Sequence, residues 1–251
     1  MTDELPIRAS SPFQTGRRLN ASELVDRRQE VDAVVTAMVD AGKLFVIGPR
    51  RHGKTSIVHV AAERARAGNV TVLTFNAEAF PAAELLAARM LAVATRELEP
   101  AVDRAQNAVM RFFGKLRPVL TYNPADATFS ATLGADAASA GGAVPLITDV
   151  LDGIEKWASQ SGRRVAVVID EVQELLERGG EPAERQLRAA VQRHEHVGYV
   201  FAGSRTHYLR RLTTDPGAAF FNLGARLWVG PVPDDDFRSW LTECFRTGGF
   251  R

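Results

Sequence analysis

The run that most constrains this chain is Gly48-Pro49-Arg50-Arg51-His52-Gly53-Lys54-Thr55, which fits G-x-x-x-x-G-K-[ST] at every fixed position. Its flanks matter as much as its letters. Lys43-Leu44-Phe45-Val46-Ile47 is a short apolar run suited to a buried parallel strand, and residues 54–67 have helical spacing. Gly68 and Asn69 punctuate, and residues 70–75 read as a second strand. The unit is therefore βαβ, with a right-handed crossover and a loop whose amides and helix N-terminus suit phosphate.

Each position then has a task in binding a nucleoside triphosphate, expected to be ATP with Mg²⁺. The glycines Gly48 and Gly53 let the backbone curl around phosphates, Lys54 reaches the β and γ phosphates, and Thr55 offers its hydroxyl to Mg²⁺. Pro49, Arg50, Arg51, His52 and Ser56 complete the cradle, and the three basic side chains either add charge near the phosphates or only face solvent or hold neighbouring loops in place. Lysine itself is informative here. Lys and Arg total 31, yet lysine occurs only as Lys43, Lys54, Lys115 and Lys156, so arginine is the default cation and the loop keeps the compact ammonium.

A second run, Val165-Ala166-Val167-Val168-Ile169-Asp170-Glu171, is a buried strand that delivers two adjacent carboxylates at its C-terminal end. Ligands of open α/β sheets bind at that end. Asp170 is the expected metal-holding residue beside Thr55, and Glu171 the residue that activates water for attack on the γ-phosphate. The alternative is that both acids merely open the next helix. Further on, the strand at residues 199–202 ends in Gly203-Ser204, and Ser204 is the candidate for contacting the γ-phosphate or the attacking water.

The remaining chain organises around these points. Residues 1–22 read as an extended arm, and a helix follows with Asp26 as its possible N-cap. Residues 82–117 look helical in two pieces divided at Pro100, 118–133 alternate as a hairpin around Asn123-Pro124-Ala125-Asp126, and 134–145 form an Ala/Gly/Ser-rich loop. Residues 100–145 thus form an insertion in one α/β domain spanning 1–251. Helices near 147–157, 182–194 and 233–247 and a fifth strand at 226–229 complete it, with Asp234, Asp235 and Asp236 favourably placed at a helix start. The expected architecture is a three-layer phosphate-loop NTPase core with a five-stranded parallel sheet in the order 5-1-4-3-2. Trp157, Trp228 and Trp240 read as core, and His194-Glu195-His196 as a solvated helix end.

Composition removes several classes. The 31 basic and 30 acidic residues lie in scattered doublets with no basic stripe, which argues against nucleic acid. Cys244 is the only cysteine, so no intramolecular disulfide or cysteine-based zinc site can form. The longest aliphatic run is too short for a membrane, and a cytoplasmic protein is the expectation.

Together the segments resemble the archaeal-type ATPases of the STAND class, a branch of the AAA+-like phosphate-loop proteins. Ser11-Pro12-Phe13-Gln14-Thr15-Gly16 and Leu24-Val25-Asp26-Arg27-Arg28-Gln29-Glu30 are similar to the family's entry region beside the adenine, which implies that Val25, Asp26 and Arg27 lie near the base. The loop through Ser56, the Ile169-Asp170-Glu171-Val172-Gln173 strand end, Gly203-Ser204 and Leu227-Trp228-Val229-Gly230-Pro231 resemble the family's other segments in the same order. The resemblance implies a nucleotide-driven switch with a protein partner or self-association. Relatives continue past the point matching Arg251 into a helical lid, so the expectation is a core without that lid. A low-turnover ATP-binding interaction module and, less favoured by the charge balance, a DNA-linked AAA+ ATPase stay open as alternatives.

Overall fold

The computed structural model describes residues 23–98, 119–123, 128–132 and 146–247, the segments at 119–123 and 128–132 by backbone alone. The arm, the second helical piece, the turn of the hairpin and the loop at 134–145 lie outside the described residues. Strands β1 (Lys43–Ile47), β2 (Thr71–Asn76), β5 (Val165–Asp170), β6 (Val197–Gly203) and β7 (Ala225–Trp228) form one parallel sheet, ordered β2-β5-β6-β1-β7. With the hairpin strands set aside, that is the anticipated 5-1-4-3-2 read from the other edge. The hairpin strands, β3 (Val119–Asn123) and β4 (Thr128–Thr132), pair antiparallel as expected.

Period-two alternation divides the strands' side chains between two layers. Phe45, Ile47, Val165, Val167 and Ile169 face a core shared with α3 (Ala83–Leu98), α4 (Ile147–Ser161), α5 (Val172–Arg193) and α6 (Thr206–Thr214). Leu44, Val46, Ala166 and Val168 face the other core, with α1 (Arg28–Val39) and α2 (Lys54–Ala67). A sheet covered on both faces explains why β5 and β6 are apolar along almost their whole length and buried at every position. Among the described residues no helix is long and apolar enough to cross a membrane.

Several local expectations are corrected. Arg27, not Asp26, is the N-cap of α1, and it makes no side-chain capping bond; Asp26 has φ 44°. Helix α5 begins at Val172 instead of near Pro182, with a break at Gly180 (φ 59°, ψ −162°) between its halves. Trp157 is core, but Trp228 is 47% exposed, because edge strand β7 pairs only with β1 in the sheet. Trp240 lies half-buried on α7 (Asp234–Thr247), stacked on Phe237 with ring centroids 5.7 Å apart. His194 is not solvated. It is 3% exposed, with Nδ1 2.6 Å from the Tyr199 hydroxyl and Nε2 2.7 Å from Asp152 Oδ1.

Candidate nucleotide site

Parallel pairing sets the site's layout. Ile47 lies opposite Gly203 across β1 and β6, and Ile169 opposite Phe201 across β5 and β6, so the loop after β1, Ser204 and Asp170-Glu171 emerge side by side. The loop turns into α2 at Gly53, whose φ of 87° is reached readily only without a side chain. Lys54 is buried at the first position of α2 and folds back over the loop, its Nζ donating to the Pro49 carbonyl at 2.8 Å. Burial lowers the Lys54 pKa, with the carboxylates of Glu171 and Asp170 opposing that shift.

One contact joins the two motifs. The Thr55 hydroxyl donates to Asp170 Oδ2 at 3.0 Å, across 115 positions of sequence. A hydroxyl and a carboxylate held this close are hard oxygen donors of the kind that hold Mg²⁺, an ion that typically takes only one or two protein ligands beside phosphate and water. Among the described residues no cluster of three or more His, Cys, Asp or Glu side chains competes as a metal site. Burial raises the Asp170 pKa and the Thr55 bond works against it; a cation there would hold the carboxylate ionised.

Glu171 has left-handed backbone, φ 50° and ψ 43°, and caps α5 without a side-chain capping bond. Instead its carboxylate turns toward β6. Oε2 accepts from the Ser204 amide at 3.1 Å, the Ser204 hydroxyl at 2.8 Å and Gln173 Nε2 at 2.5 Å. Burial alone would raise the Glu171 pKa, but the Gln173 and Ser204 bonds and the Lys54 charge together hold it below the usual glutamate value. Glu171 is thus an ionised acceptor beside the loop. Ser204 is brought to the site, with its hydroxyl directed at Glu171.

The other candidates divide. Arg50 is exposed and pairs with Glu78 at 3.1 Å; Arg51 is exposed with φ 66°; and His52 Nδ1 lies 3.0 Å from the Arg50 carbonyl. Ser56 is buried in the first turn of α2, and Gly48 continues directly from β1. Of Val25, Asp26 and Arg27, only Arg27 is buried; its guanidinium binds Glu30 at 2.7 Å and the Gly230 carbonyl at 2.5 Å, and it lines a cavity of about 620 Å³ between α1 and α2. Gln173 stands out in the sequence only through the family resemblance of the strand end. A glutamine two residues after the acid pair, where an amphipathic helix turns inward, was the available signal.

No protein-family model matches the sequence, and neither does any curated protein. Solved structures do match in shape. A Walker-type ATPase of Pyrococcus abyssi superposes with a TM-score of 0.57 at 17% identity, over 96% of this chain and 63% of that one. The ORC2 protein of Aeropyrum pernix matches in its ADPNP-ADP complexes (TM-score 0.58, 15% identity, 92% of this chain and 54% of that one). It also matches in its ADP form (TM-score 0.54, 15% identity, 92% and 55%). The fold is that of a phosphate-loop NTPase. This chain spans between 54% and 63% of the lengths of those proteins.

Proposed function

We propose that the chain binds ATP with Mg²⁺ and hydrolyses it, its nucleotide state acting as a molecular switch. The observation that carries this reading is the Thr55–Asp170 bond, which unites loop and strand end with Glu171 directly alongside. In this reading Lys54 places its charge on the β and γ phosphates. Thr55 and Asp170 would hold Mg²⁺, which would supply neutralisation of the phosphate charge. Glu171 takes a proton from the attacking water as the γ-phosphoryl group is transferred to it and ADP departs. Solved structures of the same fold in complex with ADPNP and ADP support the choice of an adenine nucleotide.

Within the phosphate-loop NTPases, the finer assignment is to the archaeal-type STAND ATPases. Five segments in the same order support it, from the entry region to Leu227-Trp228-Val229-Gly230-Pro231. Arg27 supports the placement of the base, as its buried guanidinium joins the entry region to the Gly230 carbonyl. The switch would act on a protein partner or on a second copy of the chain.

The test is phosphate release by the wild type against Glu171→Gln and Lys54→Ala. Glu171→Gln should bind ATP and release phosphate roughly 100-fold or more slowly, the scale of a lost general base. Equal release from all three proteins would overturn the assignment.

A further inference from the structure

Helix side chains two positions apart do not normally face each other. Glu171 and Gln173 nevertheless share a hydrogen bond of 2.5 Å, because the left-handed backbone at Glu171 turns its side chain back over the start of α5. Gln173 is an unusual tenant of that place. It is fully buried, and its own Oε1 has no hydrogen-bond partner among the described residues. Rotating the amide by half a turn would not repair this, because it would set Oε1 against the Glu171 carboxylate. A buried polar atom without a partner calls for an explanation, and the bond made by the other end of this amide offers one.

The room for it comes from β6. A Cβ at Gly203 would collide with Gln173 Oε1 and Leu209 Cδ1, so a side chain at that position would displace the amide from this place. The next residue, Ser204, supplies the other two donors to the same carboxylate oxygen. Three donors therefore converge on Glu171 Oε2, while Oε1 accepts no hydrogen bond among the described residues. Charged neighbours of the carboxylate are Lys54 from α2 and Asp170 from β5.

The geometry points to Gln173 as a positioning residue for hydrolysis: with Ser204 it fixes Oε2, so that Oε1 is the oxygen that receives the proton. This rests on the hydrolytic reading above. As the water oxygen bonds to the γ-phosphorus, the bond from that phosphorus to the β,γ-bridging oxygen breaks and its electron pair leaves with ADP. One water proton passes to Oε1, and inorganic phosphate is the second product. Gln173 touches none of the reacting atoms.

Two variants test it by different routes. Gln173→Leu keeps the volume and removes the donor, whereas Gly203→Ala keeps the glutamine and displaces its amide. In steady-state ATP hydrolysis, kcat should fall roughly 10- to 100-fold in both, the cost of misplacing a catalytic group by about an ångström. ATP affinity, measured separately by equilibrium binding, should stay within about 2-fold, and thermal unfolding should show both proteins folded. If either variant fails to fold, Gln173→Asn replaces it, since that change withdraws the amide by one methylene and should lower kcat alone. An unchanged kcat overturns the proposal, and so does a fall matched by an equal loss of ATP affinity. The parent reading is judged separately by Glu171→Gln. A wild type that hydrolyses while Glu171→Gln does not, with Gln173→Leu at full rate, sinks the positioning role alone. A wild type no faster than Glu171→Gln sinks both.

Discussion

Strand β6 has a polar cluster near each end, and the two are built on opposite terms. Toward its N-terminal end, a neutral His194 satisfies both neighbours at once, taking a bond from the Tyr199 hydroxyl and giving one to Asp152. The main chain there is spoken for as well. Lys43 Nζ donates to the His194 carbonyl at 2.5 Å, and Glu155 accepts from the amides of Glu195 and His196 at 2.9 and 3.0 Å. At the C-terminal end, Ser204, Glu171, Asp170, Thr55 and Lys54 gather around a non-glycine residue in the left-handed region, Glu171, whose Oε1 accepts no hydrogen bond among the described residues. A cluster whose bonds are all used inside the protein holds one conformation. A cluster with charge and an acceptor to spare is equipped to meet a ligand, and backbone strain concentrates at such places.

If that division is right, substitutions at the two ends should separate ligand effects from stability effects. The largest is expected at Lys54→Ala. It should weaken ATP binding roughly 100-fold, the ~3 kcal/mol of a charge-assisted contact, while the unfolding midpoint of the nucleotide-free protein moves by no more than about 2 °C. Titration calorimetry and differential scanning fluorimetry check the two halves. His194→Leu should do the reverse. Leaving the fully buried Tyr199 hydroxyl unpaired should cost about 2 kcal/mol, lowering the midpoint by roughly 4–8 °C with ATP affinity unchanged.

A smaller effect follows from pH. Burial lowers the His194 pKa, against the raising influence of Asp152 and Glu155. The unfolded chain, with histidine near ~6.5, therefore binds this proton more readily than the folded one, so the stability contribution is present above that pH and is lost as pH falls below it. Unfolding midpoints measured from pH 7.5 down to the depressed folded value should show this acid-side loss in the wild type. In His194→Leu the corresponding part of the slope should be missing. The smallest effect is expected at Arg50→Ala. Its partner Glu78 is exposed and so is Arg50, at 50% and 67%, so stability should change by less than ~0.5 kcal/mol. A larger change in ATP affinity, beyond about 3-fold, would place Arg50 among the ligand-binding residues.

The sequence made the sheet and the phosphate-binding end legible for the same reason. Both are written locally, as apolar runs bounded by Gly48, Asp170 and Gly203, and parallel pairing then leaves little choice of neighbours. What escaped depends on distant partners or on backbone conformation. His194 reads as a solvated helix end because its burial relies on Asp152, 42 positions away, and on a tyrosine that a strand happens to present. Trp228 reads as core because β7 looks like any other strand in sequence, yet it lies at an edge. Asp26 has the right chemistry for an N-cap, but the chain turns through a positive φ there and α1 starts one residue later. Gln173 could be placed after the acid pair. Its bond to Glu171 could not be foreseen without the left-handed turn between them.

The Arg27 bond to the Gly230 carbonyl ties the start of α1 to the segment that follows β7. Gly230 directly follows Val229, whose amide donates to the Ile47 carbonyl at 2.8 Å, one residue before the phosphate loop. The segment between β7 and α7 is therefore tied at two adjacent residues, to the base of α1 by a guanidinium and to the root of the loop by one backbone hydrogen bond. Any displacement of Gly230 away from α1 would have to break the guanidinium bond first.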